Sequence, residues 1–242
     1  MNLSLGLNII VDLLFPRYCC SCGRLLRASE FRYLCDYCVS QICRITEPLC
    51  LSCGAPFHGY IADDGRICAK CRVNPPKFNR AISMWVFDGV ARKIIHELKY
   101  KSGEYMLLDI ERMVSQNKSF IELISSSVLV PVPIHWRRLF YRGYNQSELI
   151  AKMLCKITKN STVRNLLIKK KHNRSQTELS SDNRVRNVAG SFALCKKIDL
   201  PKHVKIVIVD DVMTTGATVN ECVKQFNEEG YYNLFVATLA RD

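Results

Sequence analysis

The sequence predicts an α/β protein: a doubly wound, mostly parallel sheet preceded by a cysteine-rich, zinc-binding region. Two observations carry this. Ten of the thirteen cysteines lie before residue 72, and eight of those ten form four Cys-x-x-Cys pairs. After Asn74-Pro75-Pro76 the cysteines thin out and strand-like and helix-like segments alternate. Residues 1–76 are therefore assigned to an N-terminal helix and cysteine-rich region, and residues 77–242 to the α/β domain.

The elements read in order as follows. Residues 1–15 are apolar, with Leu3, Leu7, Ile10, Val11 and Leu14 at helical spacing. Asp12 interrupts the run, no basic residue precedes it, and it is too short to span a bilayer, so a packed helix is expected rather than an export signal or membrane span. Residues 81–87 read as a strand. Residues 89–100 read as a helix with Val90, Ile94, Ile95 and Leu98 on one face, and residues 106–114 as another. Residues 128–132 are a short apolar strand ended by prolines. Residues 147–158 form a helix with Leu149, Ile150, Met153, Leu154 and Ile157 inward. Residues 165–168 and 191–194 are short strands, and residues 169–187 a long polar segment. Residues 204–209 are a buried strand, residues 218–229 a helix stopped at Gly230, and residues 234–239 the last strand.

Four cysteine pairs at this spacing point to metal in a reducing compartment rather than to disulfides. Cys19, Cys22, Cys35 and Cys38 make one possible tetrad, and Cys50, Cys53, Cys68 and Cys71 another. Four thiolates in two knuckles suit a closed tetrahedral Zn²⁺ site. The spacing leaves sequential pairing, crossed pairing and a single filled site all open. Cys20, Cys43, Cys155, Cys195 and Cys222 read as spare or buried thiols, and His58 as a turn residue.

The formal net charge is +13, which points to an anionic partner. The excess is concentrated. Residues 130–190 hold thirteen Lys/Arg against three acids. Trp136, Tyr141 and Tyr144 lie among these cations, where aromatic rings could stack on the bases of a single strand; core packing is expected for Trp136. Lys169, Lys170, Lys171 and Arg142 are the candidate DNA contacts.

The most informative stretch runs from Val207 to Thr218. An apolar β-branched run leads into Asp210-Asp211 and then Thr214-Thr215-Gly216-Ala217-Thr218. In an open α/β sheet, ligands bind beyond the carboxyl ends of strands. Unpaired N–H groups at a following helix start receive an anion, and Gly216 lets the backbone come close. Adjacent carboxylates suit vicinal ribose hydroxyls, directly or near Mg²⁺. The pattern is that of a site for a sugar carrying a 5′-phosphate.

This stretch resembles the phosphoribosyl pyrophosphate (PRPP) loop of type I phosphoribosyltransferases. Further motifs occur in order: Cys19-Cys20-Ser21-Cys22-Gly23, His96-Glu97-Leu98-Lys99-Tyr100, Val130-Pro131-Val132-Pro133-Ile134-His135, Arg142-Gly143-Tyr144-Asn145-Gln146, then Gln176, Arg184 and Asn187-Val188, and Leu239-Ala240-Arg241. Together they resemble the ComF/GntX family of bacterial competence proteins over essentially the whole chain. The resemblance implies a type I phosphoribosyltransferase-like fold over residues 77–242, structural zinc, and a cytoplasmic role in handling single-stranded DNA during natural transformation. It implies PRPP with Mg²⁺ at Asp210, Asp211 and Thr214 to Thr218, and a pyrophosphate loop at His135, Arg137 and Arg138. It also implies a flap carrying Arg174, Gln176, Arg184 and Asn187. Two further expectations stand beside this: transfer of ribose 5-phosphate from PRPP to an unknown acceptor, with no catalytic residue assigned, and docking of a helicase-like partner through the zinc region.

Overall fold

The computed structural model describes residues 16–26, 29–57, 66–100, 103–158, 160–171, 188–195 and 198–242. The expected helix at 1–15, His58 and the four flap residues Arg174, Gln176, Arg184 and Asn187 lie outside the described residues. Among the described residues the cysteine-rich region contributes two short helices, α1 (Asp36–Ser40) and α2 (Ala69–Val73). The remainder runs β1 (Arg80–Val86), α3 (Gly89–Lys99), a 3₁₀ turn (Gly103–Met106), α4 (Leu107–Ser115), α5 (Lys118–Ile124), β2 (Val128–Pro131), α6 (Trp136–Arg142) and α7 (Gln146–Ile157). It continues with β3 (Thr162–Val163), β4 (Leu167–Lys169), β5 (Phe192–Leu194), β6 (Ile206–Met213), α8 (Ala217–Glu228) and β7 (Leu234–Arg241).

Five strands form one sheet in the order β1-β7-β6-β2-β3, every neighbouring pair parallel. The expected α/β architecture with a parallel sheet is what forms. Alternation places successive side chains on opposite faces. In β6, Val207 and Val209 join one core with Ile94, Ile110, Phe120 and Leu154, whereas Ile206 and Ile208 join a second core with Val223 and Phe226. Both faces are covered, so the strands are mostly apolar, as buried parallel sheets require. β4 and β5 pair antiparallel as a separate two-stranded ribbon.

The cysteine-rich region is built into this body. β1 is an edge strand, and its outer side is paired by the chain between the two cysteine clusters. Ile45 N–H donates to Met84 O at 3.0 Å, and Val86 N–H donates to Cys43 O at 2.9 Å. The pairing removes an exposed sheet edge. Asp109 does the same for a loop: its carboxylate oxygens accept from Arg32 N at 2.7 Å and Tyr33 N at 2.8 Å.

Three details depart from the sequence reading. β6 continues past Val209 to Met213, because Asp210 stays in register with Thr238 and Val212 with Ala240 of β7. The residues after Pro133 form helix α6 instead of an extended basic loop, capped by His135, whose Nδ1 accepts from Arg137 N at 3.3 Å. Trp136, expected in the core, is 65% exposed, since α6 buries none of its residues.

Candidate functional site at the sheet switch point

The chain leaves β2 toward β3 on one side of the sheet and leaves β6 toward β7 on the other. The carboxyl ends of β2 and β6 therefore flank the topological switch point, where open α/β sheets hold their ligands. The β2 end delivers His135, Arg137 and Arg138. The β6 end delivers Asp210 and Asp211, then the turn Thr214 to Thr218. Gly216 sits at φ +79°, a left-handed conformation that side chains oppose, and caps α8. Ala217 N–H donates to Thr215 Oγ1 at 3.3 Å. Thr214 to Thr218 are all partly exposed, so the turn is open to a ligand.

The two acids are held differently. Asp210 Oδ1 accepts from Ser147 Oγ at 2.9 Å and from Asp211 N at 2.9 Å. Burial, together with the Asp211 charge and side chain beside it, pushes the Asp210 carboxyl up to about 8, against the hydrogen bonds from Ser147 and the Asp211 backbone. Asp211 Oδ2 instead meets Lys99 Nζ at 2.6 Å. Neither Ser147 nor Lys99 was assigned a role from the sequence alone. Each does lie in or beside a motif quoted there: Lys99 within His96 to Tyr100, and Ser147 next to Gln146.

Those two motifs form the scaffold under the pocket. Tyr144 Oη donates to Leu98 O at 2.7 Å, and Asn145 Nδ2 donates to Val132 O at 3.0 Å while its Oδ1 caps α7. Arg142 donates to Gln146 Oε1 at 2.5 Å and lies over the Tyr100 ring at 5.3 Å. The Arg142 guanidinium is thus half-buried in the scaffold.

The Lys169 to Lys171 run and the Arg137, Arg138 and Arg142 set are expected from the sequence to form one basic groove. Burial lowers the Lys169 ammonium below its ordinary value. The Arg138 charge lowers it further, while Asp210 and the Cys222 thiol oppose the shift. Lys169, at the end of β4, thus feels the charges of Arg138 on α6 and Asp210 on β6. Lys170 and Lys171 face outward. So do Arg137, Phe140 and Tyr141, the last two at 82% and 88% exposure. Trp136 carries the Arg137 guanidinium over its ring at 5.3 Å.

The cysteine clusters close sequentially. Sγ atoms of Cys19, Cys22, Cys35 and Cys38 lie within 4.8 Å of one another, as do those of Cys50, Cys53, Cys68 and Cys71. Tetrahedral Zn–S bonds of about 2.3 Å require sulfur–sulfur edges of about 3.8 Å. Cys22 to Cys35 spans 3.7 Å and Cys53 to Cys68 spans 3.8 Å. Backbone N–H groups point at the sulfurs, Cys35 N to Cys19 at 3.4 Å and Cys68 N to Cys50 at 3.3 Å, as thiolates need. Both tetrads fit zinc. Cys20 turns away toward Met106 Sδ and stays outside the first tetrad.

The fold and these clusters define an α/β protein with a five-stranded parallel sheet and an N-terminal zinc-binding region. Residues 10–72 match the double zinc ribbon domain family. Over most of its length the chain is homologous to proteins named for competence and DNA utilization, as the resemblance implied. It is 26% identical over 212 residues to Competence protein F of Haemophilus influenzae, covering 86% of this chain and 90% of that one. It is 28% identical over 234 residues to DNA utilization protein YhgH of Escherichia coli K12, covering 93% and 97%. It is 23% identical over 203 residues to Competence protein ComFC of Bacillus subtilis, covering 81% and 79%. No described helix is long and apolar enough to cross a membrane.

Proposed function

We propose that this chain is a zinc-containing competence protein of the cytoplasm that binds PRPP, or a related phosphosugar, at the switch point and handles single-stranded DNA on its basic face. The observation that carries the reading is the placement of the Asp210-Asp211 pair and the open turn Thr214 to Thr218 at the β6 end, next to the β2 end that leads to His135, Arg137 and Arg138, with the Lys169 ammonium feeling the charges of both Arg138 and Asp210. The turn would take the 5′-phosphate, the acids the ribose hydroxyls, and the cations with His135 and Arg137 the pyrophosphate. When bound, Mg²⁺ would neutralise pyrophosphate beside the acids. The names of the relatives support the competence role.

The DNA assignment draws on α6 and its surroundings. Trp136, Phe140 and Tyr141 are exposed beside Arg137, and the exposed Lys170 and Lys171 extend the positive surface. Exposed rings among cations are what sequence-tolerant single-strand binders present. Calorimetric titration with PRPP and Mg²⁺, on the wild type and on Asp210→Asn/Asp211→Asn, tests the pocket. Retained affinity in the double variant would discard the assignment. Single-strand binding measured against salt tests the basic face, and a log–log slope of zero would discard that part.

Phosphoribosyl transfer is the second reading, favoured by the cations grouped around Asp210. Pyrophosphate release with candidate nitrogen acceptors would establish it.

A further inference from the structure

The motif His96 to Tyr100 enters the pocket through a single side chain. Lys99 ends α3, and its Nζ lies 2.6 Å from Asp211 Oδ2, with the lysine side chain 28% and the aspartate side chain 6% exposed. The Asp211 carboxylate is buried, and this ammonium balances its charge.

The lysine is placed, not incidental. Ile94, Ile95 and Leu98 fix α3 in the core at essentially zero exposure. The Leu98 carbonyl is taken by Tyr144. Gly103 packs so tightly on the Glu97 carbonyl that a Cβ there would come within 1.8 Å of the oxygen. The helix end is thus clamped from two sides, and Tyr100 leaves it in extended conformation. The clamp delivers one positive charge to one carboxylate of the pair.

That charge has a chemical consequence. A phosphosugar dianion approaching an unbalanced Asp211 carboxylate would be repelled, and a divalent cation is the usual remedy. A Mg²⁺ ion bound directly to Asp211 would sit at about 2 Å from its oxygen and within a few ångströms of the ammonium, so the two cations exclude one another. Resting on the phosphosugar reading of this site, we propose that Lys99 is a positioning residue that replaces a divalent ion at Asp211, so that a phosphosugar lacking pyrophosphate binds without Mg²⁺. Lys99 fixes Asp211 toward the ribose hydroxyls and leaves any Mg²⁺ requirement to the pyrophosphate of PRPP.

The test is titration of ribose 5-phosphate into the full-length, zinc-loaded protein in metal-scavenged buffer without chelator, with and without millimolar Mg²⁺. The wild type should bind equally in both, within about twofold. Lys99→Ala should lose about tenfold or more without Mg²⁺ and regain most of it when Mg²⁺ is added, because the vacated carboxylate then accepts the ion. Lys99→Arg should behave as the wild type. Zinc content and thermal unfolding confirm that each variant is folded, and Lys99→Gln takes the place of Lys99→Ala if the latter does not fold. A wild type that needs Mg²⁺ for ribose 5-phosphate overturns the proposal, as does a Lys99→Ala variant that matches the wild type without it. If the wild type binds PRPP but the lysine variants are indistinguishable from it, only the Lys99 assignment falls. If it binds neither phosphosugar, the pocket reading falls as well.

Discussion

Asp210 should make the protein less stable as pH rises through neutrality, and removing its charge should remove that penalty. The carboxyl is buried, accepts from Ser147 and Asp211 N, and is pushed to about 8 from an ordinary 3.8. The sign follows from proton counting. Between these two values the unfolded chain has released the proton and the folded chain has kept it, so unfolding releases a proton and stability falls with pH. Below about pH 4 both states are protonated and the penalty vanishes; above about pH 8 it is constant. At about 1.36 kcal/mol per pH unit, the penalty is on the order of 4 kcal/mol at pH 7. Asp210→Asn keeps an acceptor for Ser147 and the Asp211 amide but carries no charge. Its stability relative to the wild type should therefore improve by several kcal/mol between about pH 5 and about pH 8. Urea unfolding of both proteins across that range measures the difference. Loss of zinc at acid pH affects both equally and cancels. A difference that stays flat across the range would show that Asp210 is ionised throughout, and the account of the acid pair would be wrong.

Three other outcomes are expected. Asp109→Ala strands two backbone N–H groups of the first cysteine loop; it should cost about 3 to 5 kcal/mol in urea unfolding, and a loss under about 1 kcal/mol would show that the loop does not depend on it. Cys22→Ser and Cys53→Ser strike different tetrads, so each should halve the zinc measured by elemental analysis instead of abolishing it; complete loss from either would mean that the sites fill together. Replacing Trp136, Phe140 and Tyr141 by alanine should weaken single-strand binding by about 1 to 3 kcal/mol per stacked base while leaving the melting temperature unchanged, because all three are exposed; an unchanged affinity would take DNA off this helix.

The periodicity of the chain was enough to place most of the sheet and the helices over it. Apolar β-branched runs and helical stripes are local signals, and they mark β1, α3, α7, β6, α8 and β7 to within a few residues. What local signals miss is anything decided by a distant partner. The extension of β6 to Met213 depends on β7, whose residues pair with it across the sheet. α6 buries nothing, so it has no apolar stripe by which to be recognised, and Arg137 and Arg138 read as loop cations. The cysteine spacing announced tetrads but left the pairing undecided, since spacing constrains chain reach and not which knuckles meet. Ser147 and Lys99 contact the acids across large separations, and only the motifs around them hinted at a role.

The zinc region and the pocket belong to one structure, and that changes what the cysteines contribute. Cys19, Leu34, Cys38 and Ile42 share a core with Met84, Trp85 and Ile94. The second tetrad reaches the sheet and the turn Thr214 to Thr218 by separate contacts. Arg241, at the end of β7, donates to Cys53 O at 2.5 Å, and Ala81 N–H donates to Ser52 O at 2.8 Å. Gly54 has φ +68° and lies against the Ala81 carbonyl, where a Cβ would come within 2.4 Å, so the knuckle and the strand leave no room for another residue. Lys70, between Cys68 and Cys71, reaches the Thr215 carbonyl at 3.5 Å, and Lys77 N–H donates to Asn220 Oδ1 in the first turn of α8. A structural metal holds its knuckles by folding energy. Here Lys70 of the second knuckle touches the turn that begins α8, so the metal region and Thr214 to Thr218 are joined across 145 residues of sequence.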